Sequence, residues 1–342
     1  MAQLEIENLT IQYQTSHGLV HAVRGVTLAV EHGRAMGLVG ESGCGKTTLA
    51  RAVIGVLPKN ALILGGTVRF EGEDLLALSS DAQNAYRWRR IAMVPQAAMD
   101  SLDPVYRVGD QMIETMQLRG GLSREQARDL SQRLFAQVGL ESSRTRLYPH
   151  ELSGGMKQRV VIAMALALSP QMLIADEPVT ALDVIVQHQV LRILRELQKT
   201  LHLSLLLITH DISVVADLCD DVAVMYAGRI VETGSVRQVF TTPQHPYTMG
   251  LRNAFPSLRA EAGPLVPIEG FPPDLARPPQ GCAFAPRCPF VIDRCWTEDP
   301  ALRPAAGGQA SACHRASEAA LLRTQASEAF ARLSATHTGS AP

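Results

Sequence analysis

Up to about residue 242 the apolar positions follow two alternating rhythms. Short unbroken apolar runs at 36–39, 171–175 and 204–208 have the length and composition of buried strands, while apolar residues at helical spacing mark 47–54, 155–168 and 184–201. Strands alternating with helices in this way predict an α/β fold built on a largely parallel sheet. Past residue 242 the rhythm breaks. Fourteen of the 20 prolines fall in the last 100 residues, and only 6 in the 242 before them. A stretch such as 263–279 cannot sustain ladder or helix hydrogen bonds through so many prolines. The chain therefore divides into a unit at 1–242 and a loop-rich extension at 243–342, too proline-rich to bury much apolar surface. A final stretch, 317–333, is alanine-rich and helix-prone, with a weak apolar face of Leu321, Leu322, Phe330 and Leu333.

Composition narrows the class. With 46% hydrophobic and 19% charged residues the chain is globular, not fibrous or disordered. Its 32 Lys and Arg against 33 Asp and Glu argue against nucleic acid as a partner, because phosphate binding needs a basic excess. Glu5 and Glu7 stand where a signal peptide would be basic and then apolar. The longest apolar run, 160–168, falls well short of the ~20 residues that span a bilayer. The expectation is a cytosolic protein whose membrane association, if it has one, is peripheral. Six cysteines in that compartment are not expected to form disulfides. Cys44 and Cys219 stand alone, whereas Cys282, Cys288, Cys295 and Cys313 fall within 32 residues.

Candidate chemistry begins at Gly40-Glu41-Ser42-Gly43-Cys44-Gly45-Lys46-Thr47, a G-x-x-x-x-G-K-[ST] phosphate loop between an apolar strand and a helix. Its glycines let consecutive amides turn inward around phosphates, and the helix carrying Thr47 and Thr48 presents its positive end to them. Lys46 would reach the β and γ phosphates and the Thr47 hydroxyl would ligate Mg²⁺. Cys44 fills a spacer position and reads as an inert small residue. The apolar run at 172–175 ends in Asp176-Glu177, two carboxylates at the edge of a buried strand. Asp176 would hold Mg²⁺, and Glu177 would orient and deprotonate an attacking water.

Leu152-Ser153-Gly154-Gly155-Met156-Lys157-Gln158, some twenty residues before that pair, resembles the signature of ATP-binding cassette (ABC) proteins. The resemblance implies roles for further residues: Gln96 as the Q-loop and a third Mg²⁺ contact, Asp183 in the D-loop Ala181-Leu182-Asp183, His210 as the switch histidine, and Tyr13 stacked on adenine. It implies a P-loop ABC cassette that hydrolyses ATP, with Glu177, His210 and Gln96 at the reaction centre. Ser153, Gly154 and Gly155 would close the ATP site of a second ATPase subunit. The segment at about 97–165 would be the helical subdomain that docks on a membrane partner.

The extension is similar to the C-terminal region of the oligopeptide and dipeptide importer ATPases, on Thr242-Pro243-Gln244-His245-Pro246-Tyr247-Thr248 and on 270–288. That group pairs two permeases with two ATPases, here favouring a paralogue over a second copy, and with an extracytoplasmic solute-binding protein. The implied location is the cytoplasmic face of the inner membrane. Other members carry oligosaccharides or metal chelates, so peptide is the favoured cargo among several. A soluble ABC ATPase acting on nucleic acid would show long heptads or tandem cassettes, and a GTPase an Asn-Lys-x-Asp motif; the chain has none of these. The four clustered cysteines suit an all-thiolate centre, either Zn²⁺ or iron–sulfur. The resemblance favours a [4Fe–4S] cluster, with His314 as an alternate ligand.

Overall fold

In the computed structural model, which describes residues 2–16, 18–180, 182–254 and 266–338, the apolar runs become the parallel centre of an eight-stranded sheet. That centre comprises β3 (Ala35–Val39), β6 (Ile91–Val94), β7 (Met172–Asp176), β8 (Ser204–Thr209) and β9 (Asp221–Tyr226), in spatial order β9-β3-β8-β7-β6. β3, β7 and β8 are buried along their whole length, which is why their sequences show no alternation. A four-stranded antiparallel sheet is built from β1 (Ala2–Thr15), β2 (Gly18–Glu31), β4 (Ala61–Phe70) and β5 (Glu73–Asp74). Its Leu4, Ile6, Leu9 and Ile11 pack with Leu38, Leu206 and Ile208 of the parallel sheet into one core.

Helix α1 (Lys46–Ile54) follows β3, and α2 (Ser80–Tyr86) precedes β6. Between β6 and β7 lie α3 (Val108–Gly120), α4 (Arg124–Gln137) and α5 (Gly154–Ala165). α4 starts at a capping box in which Ser123 and Gln126 satisfy each other's backbone amides. α5 stops three residues short of the expected 168. Ser169 turns into the left-handed region with φ 52°, and Pro170 disfavours helical backbone in the residue before it. α6 (Val184–Thr200) and α7 (Ile212–Leu218) start at the side-chain caps Asp183 and Asp211. No helix among the described residues is long and apolar enough to cross a membrane.

The extension is loop-rich, as its prolines require, yet it is joined to the sheet. β10 (Arg229–Ser235) runs antiparallel to β9, β12 (Ala310–Ser311) pairs with β10, and β11 (Arg303–Pro304) pairs with β12. α8 (Val236–Thr241) follows β10, and α9 (Pro246–Ala254), α10 (Arg294–Thr297) and α11 (Ala319–Thr338) complete the extension. The expectation that this part buries little apolar surface is wrong. Tyr247, Phe284, Phe290, Leu322 and Phe330 are buried in the core that also holds Val39, Ala175 and Leu207, so the extension uses the sheet as its other half. Of the apolar face foreseen at 317–333, Leu322 and Phe330 turn inward and Leu321 is exposed.

One buried carboxylate ties these pieces together. Glu232 of β10 has no exposed surface and accepts the N–H groups of Gln244 (2.7 Å) and His245 (2.9 Å) together with Gln309 Nε2 (3.2 Å). Removing it would leave three buried donors unsatisfied, at a net cost of about 1–3 kcal/mol for each group left unpaired. Glu232→Ala should therefore lower the unfolding free energy by about 3 kcal/mol in urea titration. A loss below about 1 kcal/mol, the size of one ordinary hydrogen bond, would mean that solvent replaces the carboxylate.

Candidate functional site

The chemistry collects where β3, β7 and β8 end. After β3 the chain can turn around an anion only because Gly43 and Gly45 adopt φ of 78° and 106°. A Cβ on Gly45 would stand 2.2 Å from the Ala22 carbonyl oxygen, so the loop presses directly on the antiparallel sheet. Lys46 is buried, and its Nζ donates to the carbonyl oxygens of Gly40 (2.7 Å) and Glu41 (3.0 Å). Cys44 points into the core beneath the loop, and burial pushes its thiol above the ordinary value, in keeping with an inert packing residue.

Asp176, the last residue of β7, is wholly buried, and neither carboxylate oxygen has a hydrogen-bond partner. Burial raises its pKa, the neighbouring Glu177 charge adds to this, and the charges of Lys46 and Arg51 oppose it. An unpaired buried carboxylate beside the phosphate loop fits a divalent cation, and Thr47 and Gln96 line the adjoining cleft as further oxygen donors. Glu177 follows in the left-handed region with φ 48°, a conformation a non-glycine residue holds only when its surroundings impose it. Its N–H donates to the Ile208 carbonyl (2.8 Å), one carboxylate oxygen meets His210 Nδ1 (3.1 Å), and the other accepts the Thr180 hydroxyl (2.8 Å). Burial works to raise this carboxyl, but the bonds from His210 and Thr180 outweigh it and hold it below its ordinary value. It is ionised near neutrality and able to accept a proton.

The cleft over these groups is lined by Tyr13, Ser42, Gly43, Gly45, Lys46, Thr47, Thr48, Gln96 and Glu177, so most of the residues singled out in sequence meet here. The Tyr13 hydroxyl bonds Thr48 Oγ1 at 3.1 Å, leaving its ring along the cleft wall. Ser153, Gly154, Gly155 and Asp183 are not part of that lining. Ser153 is an exposed cap at the start of α5, accepting Met156 N–H, and Asp183 caps α6 through Val186 N–H. A Cβ on Gly155 would fall 2.3 Å from Val186 Cγ1, so α5 and α6 touch at their first turns. Ala181 lies outside the described residues. Sequence reasoning missed Thr180, and it missed Leu275 of the extension, which also lines the cleft. Thr180 sits three residues past Glu177 in a turn that could have been inspected; nothing local marks Leu275.

The comparisons agree with this geometry. Residues 23–180 match the ABC transporter family, and residues 231–295 match the C-terminal region of oligopeptide/dipeptide transporters. The oligopeptide transport ATP-binding protein OppD of Salmonella typhimurium is 44% identical over 91% of this chain and 93% of its own length. The chain belongs to the ATP-binding subunits of the oligopeptide/dipeptide ABC transporter family. The dipeptide transport ATP-binding protein DppD of Bacillus subtilis is likewise 44% identical, over 85% of this chain and 89% of its own. Among solved structures, the dimeric bacterial ABC transporter cassette MJ0796 aligns with 68% of this chain and 99% of its own at 25% identity and a TM-score of 0.62.

The clustered cysteines lie apart from this ATPase site. Cys282, Cys288, Cys295 and Cys313 line one small cavity together with His314 and His245. Among the described residues no three His, Cys, Asp or Glu side chains gather closely enough to hold a metal ion, so the geometry supports neither the iron–sulfur expectation nor the zinc alternative. His314 is turned to the Glu298 carbonyl at 3.0 Å. Burial raises the Cys282 thiol to about 11 and that of Cys313 to about 12, so any cation bound here must displace protons.

The phosphate loop makes a direct prediction. Gly45→Ala would add both a carbonyl clash and left-handed strain, together costing upwards of ~2 kcal/mol. Calorimetric binding of ATP should then weaken at least tenfold, and unchanged affinity would show that the loop tolerates a side chain here.

Proposed function

We propose that this chain binds and hydrolyses ATP to power the import of oligopeptides or dipeptides through a membrane ABC transporter. The observation that carries the reading is the placement of Glu177, ionised between His210 and Thr180, beside the unpaired Asp176 and above the phosphate loop. The loop amides, Lys46 and the start of α1 hold the phosphates, and Tyr13 stacks on the base. Glu177 orients a water and takes its proton as the oxygen attacks the γ phosphorus and the β–γ bridging P–O bond breaks to release ADP, while His210 fixes the carboxylate and contacts the γ phosphate. Mg²⁺, held by Asp176, Thr47 and Gln96, would neutralise charge on the β and γ phosphates.

Ser153, Gly154 and Gly155 stand at the start of α5, outside this chain's own cleft and with Ser153 open to solvent, which supports their closing the site of a second ATPase subunit, here a paralogue. Gln96 and the helices at about 97–165 transmit closure to two permeases. Val105, Tyr106 and Leu118 are exposed apolar side chains in that segment and suit such a contact. The working complex lies at the cytoplasmic face of the inner membrane, with an extracytoplasmic receptor delivering the solute. Reconstituted with its permeases, the chain should turn over ATP faster when receptor and peptide are added. Glu177→Gln should lower that rate by about 10²–10⁴ while ATP binding persists. Wild-type turnover in the variant would remove Glu177 from its role. Stimulation by an oligosaccharide or a metal chelate, and not by peptide, would reassign the cargo.

For the four cysteines we propose a [4Fe–4S] cluster. The support is that all four thiols line one cavity of the extension, as an all-thiolate centre requires. Such a group would staple the proline-rich loops. Anaerobic purification should yield iron and acid-labile sulfide in about equal amounts, near four of each per chain. Zinc without sulfide, or no metal at all, would contradict it.

A further inference from the structure

The cleft described above has a wall that the cassette does not supply. Leu275, in a tight turn closed by Asp274 to the N–H groups of Ala276 (2.9 Å) and Arg277 (3.0 Å), lines the cleft, and its carbonyl accepts the His21 N–H at 2.9 Å. The same extension grips the phosphate loop from behind. Arg287, whose side chain is only 7% exposed, places Nη1 3.0 and 2.9 Å from the two carboxylate oxygens of Glu41 and 3.2 Å from the Tyr226 hydroxyl. Its remaining donors reach the carbonyl oxygens of Ile268 (3.1 Å) and Glu269 (2.9 Å). Burial works against its charge, yet Glu41 and Tyr226 hold the guanidinium above its ordinary value. The Glu41 N–H is taken by the hydroxyl of Tyr247, another extension residue, at 3.1 Å.

Glu41 matters to the loop through its backbone. Its carbonyl oxygen accepts Lys46 Nζ (3.0 Å) and the Cys44 N–H (3.3 Å), so a contact that fixes the Glu41 side chain also fixes the peptide that aims Lys46. We propose that Arg287 is a positioning residue for the phosphate loop, and that the extension, through Arg287 and Leu275, is a built part of the ATP site. This rests on the nucleotide reading of the cleft. A lysine cannot replace the fork, because it has one nitrogen where the carboxylate and two carbonyls need three.

The test compares MgATP affinity and steady-state kinetics for wild type, Glu41→Gln, Arg287→Lys and their double variant in the assembled transporter. Leu275→Ala, at a partly buried site whose carbonyl bond to His21 does not depend on the side chain, is the companion. Glu41→Gln and Arg287→Lys should each raise KM and Kd about tenfold with kcat within twofold. The double variant should be little worse than either single, since both break one interaction. Leu275→Ala should raise KM severalfold. A purely structural role would reduce the number of working sites and leave KM where it was. Wild-type KM and Kd in Glu41→Gln and Arg287→Lys would overturn the inference. A wild type that fails to bind MgATP would instead sink the nucleotide reading itself.

Discussion

The in-register parallel pairing of β3, β8 and β7 is the constraint on which the site depends. Val39 lies opposite Thr209, and Ile208 lies opposite Asp176, so the three strands end within one residue of each other and their outgoing loops emerge at one edge. The phosphate loop, His210 and Glu177 are thereby brought together from positions far apart in the chain. Open parallel sheets bind ligands in the crevice beyond the carboxyl ends of their strands, and β3 lies inside such an edge, with β8 and β9 on its two sides. A slip of one residue would turn every side chain of a strand to the opposite face. Asp176 would then leave the loop and an apolar neighbour would take its place. The hydrogen bond from Glu177 N–H to Ile208 O extends the pairing one residue past the strand and holds the left-handed turn that aims the carboxylate.

Much of this was legible in the chain because it is local. The phosphate loop, the apolar run ending in Asp176-Glu177 and the Ser153 cap each occupy a few consecutive residues, and their chemistry follows from residue type and spacing. The buried strands were recognisable for the same reason, their boundaries differing by a residue or so. Thr180 is local too, but a threonine in a turn carries no signal until the carboxylate beside it is placed. The ion pair of Glu41 with Arg287 was not legible, since it spans 246 positions and each partner alone reads as an ordinary surface charge. Proline density misled for a related reason. It correctly marked the extension as loop-rich, but burial depends on what lies against a segment, and Phe284, Phe290 and Phe330 found their partners on the sheet.

That shared core changes what the extension can do. Tyr226 at the end of β9, Tyr247 of α9 and Phe284 pack ring against ring, with centroids 4.6 to 5.4 Å apart, directly behind the phosphate loop. Phe284 lies between Cys282 and Cys288, and it lines the cysteine cavity with them. Close-packed interiors have few voids to absorb a displacement, so they pass it on to their neighbours. The extension and the ATP site are therefore neighbours in one packed body, held by an arginine fork, a tyrosine hydroxyl and Glu232.

Amide hydrogen exchange with and without MgATP tests most directly whether cassette and extension form a single site. Bound nucleotide should slow exchange at residues 40–48 and 176–177 and, in parallel, at 268–288 of the extension. Protection confined to the phosphate loop and the strand ends, with 268–288 exchanging as before, would contradict the account and leave the extension a bystander to ATP.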